Sequence, residues 1–215
     1  MSRAVEIAYE KVRQGILSGL FAPGDHLKEA ELVIYCGVSR TPVRSALNRL
    51  AADELITFHR NQGARVKEWP ADDVDDLFAL RALLEGYAAA RAADRISLKQ
   101  INKIGVSIEE MDAVLASRKP LPEKISEFLR LNSVVHASIW EASGSARLQS
   151  MLTKLVEQAL QVRTAATFTL DRIAESHHHH EELLSALKAG DSLWAEAIMR
   201  SHIRAAQASL RRPAD

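Results

Sequence analysis

The chain has 215 residues, with 28 Lys and Arg residues against 28 Asp and Glu residues, so its formal net charge is zero. This balance argues against a non-specific nucleic-acid binder, which relies on a large excess of positive charge. The single cysteine, Cys36, excludes a disulfide framework and favours a cytoplasmic protein. No apolar run approaches the length of about 18 residues that spans a membrane, and the length favours two modest domains without a membrane partner.

The N-terminal part of the chain predicts three helices. Apolar side chains recur at helical spacing in its first segment, which ends at the turn sequence Pro23-Gly24-Asp25. Ser39 stands where the cap of the third helix is expected, and Pro42 falls in the first turn, where its missing N–H is tolerated. The expected helices cover residues 4–19, 28–36 and 40–53.

The third helix combines an apolar face with a face of hydroxyls and arginines. In a helix that enters the major groove, hydroxyls and the helix N-terminus meet phosphates, and an arginine can bind guanine O6 and N7 together. The alternative is a polar face that is merely solvated. The polar face carries Arg40, Thr41, Arg44, Ser45 and Asn48.

A hairpin is expected after the third helix. The segments LITFHR and ARVKEW read as short strands joined by NQG, in which Gly63 suits a tight turn. Helices followed by a hairpin make a winged helix-turn-helix, and Trp69-Pro70 marks the linker after it. Residues 40–67 hold six basic and two acidic side chains, a local excess of positive charge suited to phosphates.

From residue 72 onward the sequence has no strand signal and predicts a bundle of about six helices. Ser97 and Gln100 have the spacing of a capping box at the second of these helices. We therefore predict a mainly α protein with a winged helix-turn-helix domain over residues 1–70 and an all-helical domain over residues 71–215. The expected helical segments are 72–95, 97–116, 122–143, 145–170, 176–189 and 191–212.

Polar side chains interrupt the apolar faces of three bundle helices. Asn132 and His136 are i,i+4 neighbours on one helix, while His180 and His202 each share an apolar face on another. Buried polar groups need partners, and one shared divalent metal ion would satisfy all four side chains. The alternative is a metal-free bundle whose histidines bond to each other and to water. The neighbouring histidines 177–179 are expected to be partly exposed.

The chemistry of the four side chains limits the choice of metal and of function. Three imidazoles favour zinc, nickel, cobalt or copper over magnesium or calcium, with zinc or nickel preferred here. An enzyme is not indicated, because His180-Glu181 lacks the second histidine of an HExxH motif. No general base or nucleophile stands out beside the four candidate ligands.

The segments ILSGLFAPGDHLKEAEL and GVSRTPVRSALNRLAADELI, with the following NQGARV, resemble the N-terminal domain of the GntR family of regulators. The resemblance covers about residues 5–67 and implies a DNA-binding function. Two positions depart from the family pattern: Ala30 replaces an arginine that can read a base, and Lys28 replaces a small hydroxyl residue. The residues that the resemblance implies for DNA contact are Ser39, Arg40, Thr41, Arg44 and Gly63.

The segments FLRLNSVVHASIWEASGS, HEELLSALKAGD and AEAIMRSHI resemble the FCD domain of the FadR-type subgroup of that family. The resemblance places Arg81 near the effector pocket, although Arg81 could instead form a surface salt bridge with Glu85. Where the subgroup commonly has Asp, Asn132 is neutral and should bind metal more weakly, so a carboxylate effector would balance the charge. The metal ligands that the resemblance implies are Asn132, His136, His180 and His202.

These observations together predict a transcription regulator. We expect a homodimer on a two-fold-related DNA operator, with affinity controlled by a small organic acid bound at the metal site. One alternative is a metal-responsive regulator in which the ion is the signal. A less favoured one is a metal-dependent enzyme domain fused to a DNA-binding module.

Overall fold

The computed structural model describes residues 2–59, 63–162 and 169–211, and within them the protein is mainly α-helical, as predicted. The chain divides into two compact units: the first takes the residues up to Val74 together with a later segment that begins at Val156, and the second takes the rest from Asp75 onward. In the described ranges no helix is both long and apolar enough to cross a membrane. The helices are α1 (Arg3–Leu17), α2 (Glu29–Cys36), α3 (Arg40–Ala52), α4 (Ala71–Ala93), α5 (Leu98–Ala116), α6 (Leu121–Ala142), α7 (Ala146–Val162), α8 (Leu170–Ala189) and α9 (Ser192–Arg211). The strands are β1 (His26–Leu27), β2 (Ile56–His59) and β3 (Gly63–Val66).

The first unit packs its three helices around a core of aliphatic side chains, with α1 against α3 and α2 against α3. On α3 the apolar positions follow the helical period and are buried, while Pro42 lies in the first turn as predicted. Cys36, at the end of α2, is also buried. The core residues of α3 are Val43, Ala46, Leu47 and Leu50.

The strands of the first unit form an antiparallel sheet in the order β1-β3-β2. The β2–β3 hairpin confirms the expected wing, with Ile56 opposite Val66 and His59 opposite Gly63. Strand β1 was not predicted, because two residues are too short to show an alternating pattern. Residues 60–62, which include most of the expected turn sequence, lie outside the described ranges.

In the second unit α5 packs against α6 and α8, and α8 packs against α9. The predicted capping box is confirmed, since the Ser97 hydroxyl accepts the backbone N–H of Gln100 at 3.3 Å. Helix α8 begins at Leu170, so the predicted start of α8 at 176 and the predicted inclusion of residue 170 in α7 are wrong, while residues 163–168 of the predicted α7 lie outside the described ranges. The only local signal for this start is Thr169, whose hydroxyl accepts the backbone N–H of Arg172.

Candidate functional site

Four of the five predicted DNA-contacting residues lie on the N-terminal turns of α3 and its cap. Ser39 occupies the cap position without a capping hydrogen bond from its side chain, so its hydroxyl remains available. Arg40, Thr41 and Arg44 are exposed beside it, while the opposite face of α3 is buried. The arrangement offers hydroxyls, arginines and the positive end of the helix on one surface, as binding to DNA phosphates and base edges requires.

The fifth residue, Gly63, begins β3 and borders the same groove as α3. Its φ of +79° lies in the left-handed region that favours glycine, and a Cβ there would stand 3.0 Å from Nε2 of His26. A groove of about 490 Å³ is lined by Gly63, Arg40 and Ala30, among others. The position where the family pattern has an arginine is thus an exposed alanine that leaves room in this groove.

The local excess of positive charge is smaller than the count over residues 40–67 suggests. Arg49 donates to Glu6 at 2.9 Å, and Lys67 donates to Glu54 at 2.9 Å. Arg65 donates to the backbone of the turn before β1. These contacts hold three of the basic side chains against neighbouring groups of the same unit, so we infer that specific contacts matter more than bulk charge here.

In the second unit three of the four predicted ligands meet in the bundle core. His136 on α6, His180 on α8 and His202 on α9 are all buried, and they offer ligand atoms that lie within 4.8 Å of one another. Nε2 of His136 is 3.2 Å from Nε2 of His202. Asn132 lies one helical turn before His136 and is half-buried.

The hydrogen bonding of this histidine cluster (His136, His180 and His202) is incomplete. Among the described residues neither ring nitrogen of His180 has a hydrogen-bond partner, and Nδ1 of His202 also lacks one. Burial, reinforced by the neighbouring histidines, lowers the pKa of both imidazoles well below the usual value. Neutral imidazoles with unshared nitrogen lone pairs are the donors that a divalent metal takes, so the residues fit such an ion.

A carboxylate that the sequence analysis considered only as the partner in an alternative surface salt bridge lies behind the cluster. Glu85 on α4 is fully buried, and its Oε2 accepts a hydrogen bond from Nδ1 of His136 at 2.5 Å. Trp140 donates to the same oxygen at 3.3 Å. Arg81 forms the expected i,i+4 ion pair with Glu85 at 2.8 Å, but the pair is buried rather than on the surface.

This carboxylate sets the tautomer of His136. Burial alone would raise the pKa of the Glu85 carboxyl, but Arg81 and His136 outweigh it and lower the pKa to about 2. An ionised carboxylate only accepts hydrogen bonds, so Nδ1 of His136 carries the proton of this contact and Nε2 is the nitrogen that faces His202. Glu85 therefore supports the ligand geometry in the way that carboxylates behind metal-bound histidines do. A charged i,i+4 pair inside the apolar run LFALRALLEGYAAA was the available signal.

A second group of potential ligands lies outside the histidine cluster. Nε2 of His177 is 2.8 Å from Oδ1 of Asp112 and 4.0 Å from Glu181. His177 is buried, which corrects the expectation that it is partly exposed, whereas His178 is exposed. Both carboxylates are exposed, and the His177–Asp112 hydrogen bond accounts for the contact without an ion.

In protein freed of metal by a chelator, we expect stability to fall as the pH drops below about 6.5. The folded-state pKa values of His180 and His202 are lowered, so below that pH the unfolded chain binds more protons than the folded one. Each histidine then contributes up to about 1.4 kcal/mol per pH unit. Urea denaturation of the chelated protein at several pH values between about 7.5 and 5.5 checks this slope. A midpoint that stays constant or rises on acidification would contradict it.

Comparisons with known proteins agree with both units. A model of the bacterial regulatory proteins of the gntR family matches residues 4–66, and a model of the FCD domain matches residues 76–205. The transcriptional repressor GlaR of Escherichia coli (strain K12) is 26% identical over 203 residues, which cover 91% of this chain and 90% of that protein. A probable D-xylose utilization operon transcriptional repressor of Paenarthrobacter nicotinovorans is 29% identical, over 88% of this chain and 81% of that protein.

Solved structures show the same fold. McbR/YncC of E. coli superposes with a TM-score of 0.83 at 21% identity and covers 98% of each chain. A transcriptional regulator from Rhodococcus sp. RHA1 gives a TM-score of 0.79 at the same identity. The named relatives are transcription regulators, so the enzyme alternative is set aside. The chain belongs to the GntR family of bacterial regulatory proteins and is a DNA-binding transcription regulator with an FCD domain.

Proposed function

We propose that this regulator binds an operator as a homodimer and that a small organic acid, bound with a divalent metal ion in the helical unit, controls its affinity for DNA. The observation that carries the proposal is the convergence of three buried histidines, with ring nitrogens that lack partners in the described chain. In this reading residues 1–70 bind DNA and residues 71–215 sense the effector and dimerise. The DNA contacts come from Ser39, Arg40, Thr41, Arg44 and Gly63.

The metal would be held by His136, His180 and His202, with Asn132 as the fourth ligand. Zinc or nickel suits three imidazoles better than magnesium or calcium does. A bound divalent ion would supply a coordination position for a carboxylate oxygen. It would also bring positive charge, which the neutral amide of Asn132 does not offset. The organic acid is favoured as effector because it would neutralise that charge.

Arg81 is proposed as the effector-facing residue of this site. It lies close enough to influence His202, whose pKa is lowered first by burial, then by the neighbouring histidines and least by the Arg81 charge. Its ion pair with Glu85 fixes the guanidinium in the core beside the cluster. A carboxylate that enters the cluster would therefore meet a second, already oriented cation.

An organic acid can change DNA affinity only through different affinities for two states of the regulator. We expect zinc and a suitable carboxylate together to change operator affinity by at least about fivefold, as is usual for such coupling. The measurement is fluorescence anisotropy on a duplex that the protein selects from a randomised pool, with lactate, malate and citrate as probes. Each acid is tested with zinc-loaded and with chelated protein.

The four combinations separate the alternatives. An acid effect confined to the zinc-loaded protein supports the proposal. A shift caused by zinc with no acid present would favour the metal-responsive regulator instead. An acid effect of the same size in the chelated protein would show that the effector site does not need the metal. Light scattering that finds a monomer at operator-binding concentrations would overturn the homodimer.

A further inference from the structure

An acidic side chain is bonded to an arginine on the proposed DNA-binding surface. Nε of Arg44 on α3 donates to both carboxylate oxygens of Glu29, at 2.7 Å and 2.9 Å. The Arg44 side chain is 67% exposed and that of Glu29 is 34% exposed, so the pair stands at the surface. Glu29 is the first residue of α2, where the positive end of the helix stabilises a carboxylate.

The geometry of this pair leaves the outer edge of the guanidinium free for DNA. Arginine has five N–H donors in a rigid plane, and both bonds to Glu29 use the single donor at Nε. The terminal amino groups of Arg44 have no hydrogen-bond partner among the described residues. Those amino groups can donate together to O6 and N7 of a guanine. A carboxylate bonded to Nε therefore orients the two terminal amino groups of Arg44 and leaves their N–H donors available.

Two opposing effects of Glu29 on DNA binding follow from general physics. A long side chain that is already held in its bound conformation loses less conformational entropy when the protein binds DNA. A carboxylate on a surface that meets phosphates also repels them, and this effect is independent of base sequence. Their combination favours the correct operator and disfavours other DNA, which is the signature of a specificity determinant.

We propose that Glu29 is a positioning residue that holds Arg44 for reading a guanine and thereby sets the base specificity of this regulator. The inference rests on the proposed DNA-binding role of Arg44. It concerns a residue of α2 that lies one position before Ala30, where the family pattern has a base-reading arginine. The orientation of Arg44 by Glu29 would give this chain a defined guanine contact although the α2 arginine is absent.

The test compares the selected duplex with copies in which single guanines are replaced by 7-deazaguanine, which lacks the N7 acceptor. An unrelated duplex of the same length measures non-specific binding. For the wild-type protein we expect one guanine per half-site whose replacement weakens binding about tenfold, within the range of a bidentate base contact. In Arg44→Ala that difference should disappear, which identifies the base that Arg44 reads.

Glu29 is then tested at the same base. Glu29→Gln and Glu29→Asp are both expected to bind the selected duplex more weakly and to reduce the 7-deazaguanine effect to about threefold or less. Asp keeps the charge but shortens the side chain, so it separates positioning from electrostatics. Glu31→Gln is the matched control, because Glu31 is an exposed acid of the same helix that pairs with Lys28. It should leave the 7-deazaguanine effect unchanged.

Three outcomes would overturn the inference. One is a full 7-deazaguanine effect in both Glu29 variants, and another is the absence of any such effect that depends on Arg44. The third is equally tighter binding of Glu29→Gln to the selected and unrelated duplexes, which would make Glu29 a repulsive charge only. A wild-type protein that selects no duplex from the pool would instead overturn the proposed function itself.

Discussion

Replacing Glu85 by glutamine is expected to destabilise the metal-free protein by about 3–5 kcal/mol, the usual consequence of removing one partner of a buried ion pair. Glutamine keeps the shape of the side chain but leaves the guanidinium of Arg81, a side chain that is 7% exposed, without its counter-charge. Urea denaturation of the chelated protein measures the loss.

A second i,i+4 pair in the same unit provides the control. Arg200 donates to Glu196 on α9 at 2.7 Å, but both side chains reach solvent. Glu196→Gln should therefore cost only about 0.5 kcal/mol or less. Equal effects of the two substitutions would show that burial of the Arg81–Glu85 pair does not matter for stability.

The same Glu85 variant should weaken zinc binding by about 10- to 100-fold, as loss of a group behind a metal ligand usually does. Without the carboxylate, the tautomer of His136 that presents Nε2 is no longer enforced. Isothermal titration with zinc separates this effect from the loss of stability, since the stability of the metal-free variant is measured independently. Unchanged zinc affinity would mean that His136 is oriented by its packing alone.

Replacing His202 by alanine is expected to abolish metal binding, which is the second large effect. The three imidazoles form a triangle, with the ring centroid of His202 5.1 Å from that of His136 and 4.7 Å from that of His180, and the latter two 5.6 Å apart. Removal of His202 leaves only two imidazoles, fewer than a stable protein site for zinc requires. Plasma mass spectrometry of natively purified, untagged protein should find about one divalent metal ion per chain in the wild type and close to none in the variant.

Two further variants define which residues hold the ion. His178→Ala is the control, because the His178 side chain is 70% exposed and stands on the same helix as His180. It should retain the metal. Asn132→Asp should bind zinc more tightly than the wild type, since a carboxylate is a better zinc ligand than an amide. If the wild-type protein takes up neither zinc nor nickel, the proposal that the effector site contains a metal ion is wrong.

Helical periodicity was sufficient to predict most of the architecture. The apolar face of α3 and the capping residues of α5 are local signals, and local signals placed both helices within one residue of their observed starts. The start of α8 was misplaced because Thr169 gives no glycine or proline signal. Strand β1 is defined by its pairing with β3, and a segment of two residues is too short for any sequence pattern to predict that pairing.

The sequence predicted which residues form the candidate sites, but not which side chains surround them. The spacing of apolar residues put His136, His180 and His202 on inward faces, and the structure brings them together. The burial of Glu85 was missed, because a charged i,i+4 pair on a helix usually lies in solvent; the apolar run around the pair was the one signal against a surface position. The bond between Glu29 and Arg44 joins two helices across 15 positions of sequence, so only the packing of α2 against α3 reveals it.

The burial of Cys36 has a practical consequence for measuring how this regulator moves. Burial raises the pKa of its thiol, and the side chain is 3% exposed, so alkylating reagents should modify it slowly. The wild-type chain therefore serves as a nearly unreactive background for site-directed spin labelling. A cysteine introduced at exposed Gln14 on α1 would carry one label per chain. In a homodimer, pulsed electron spin resonance would then report a single distance between the DNA-binding domains, with and without the organic acid.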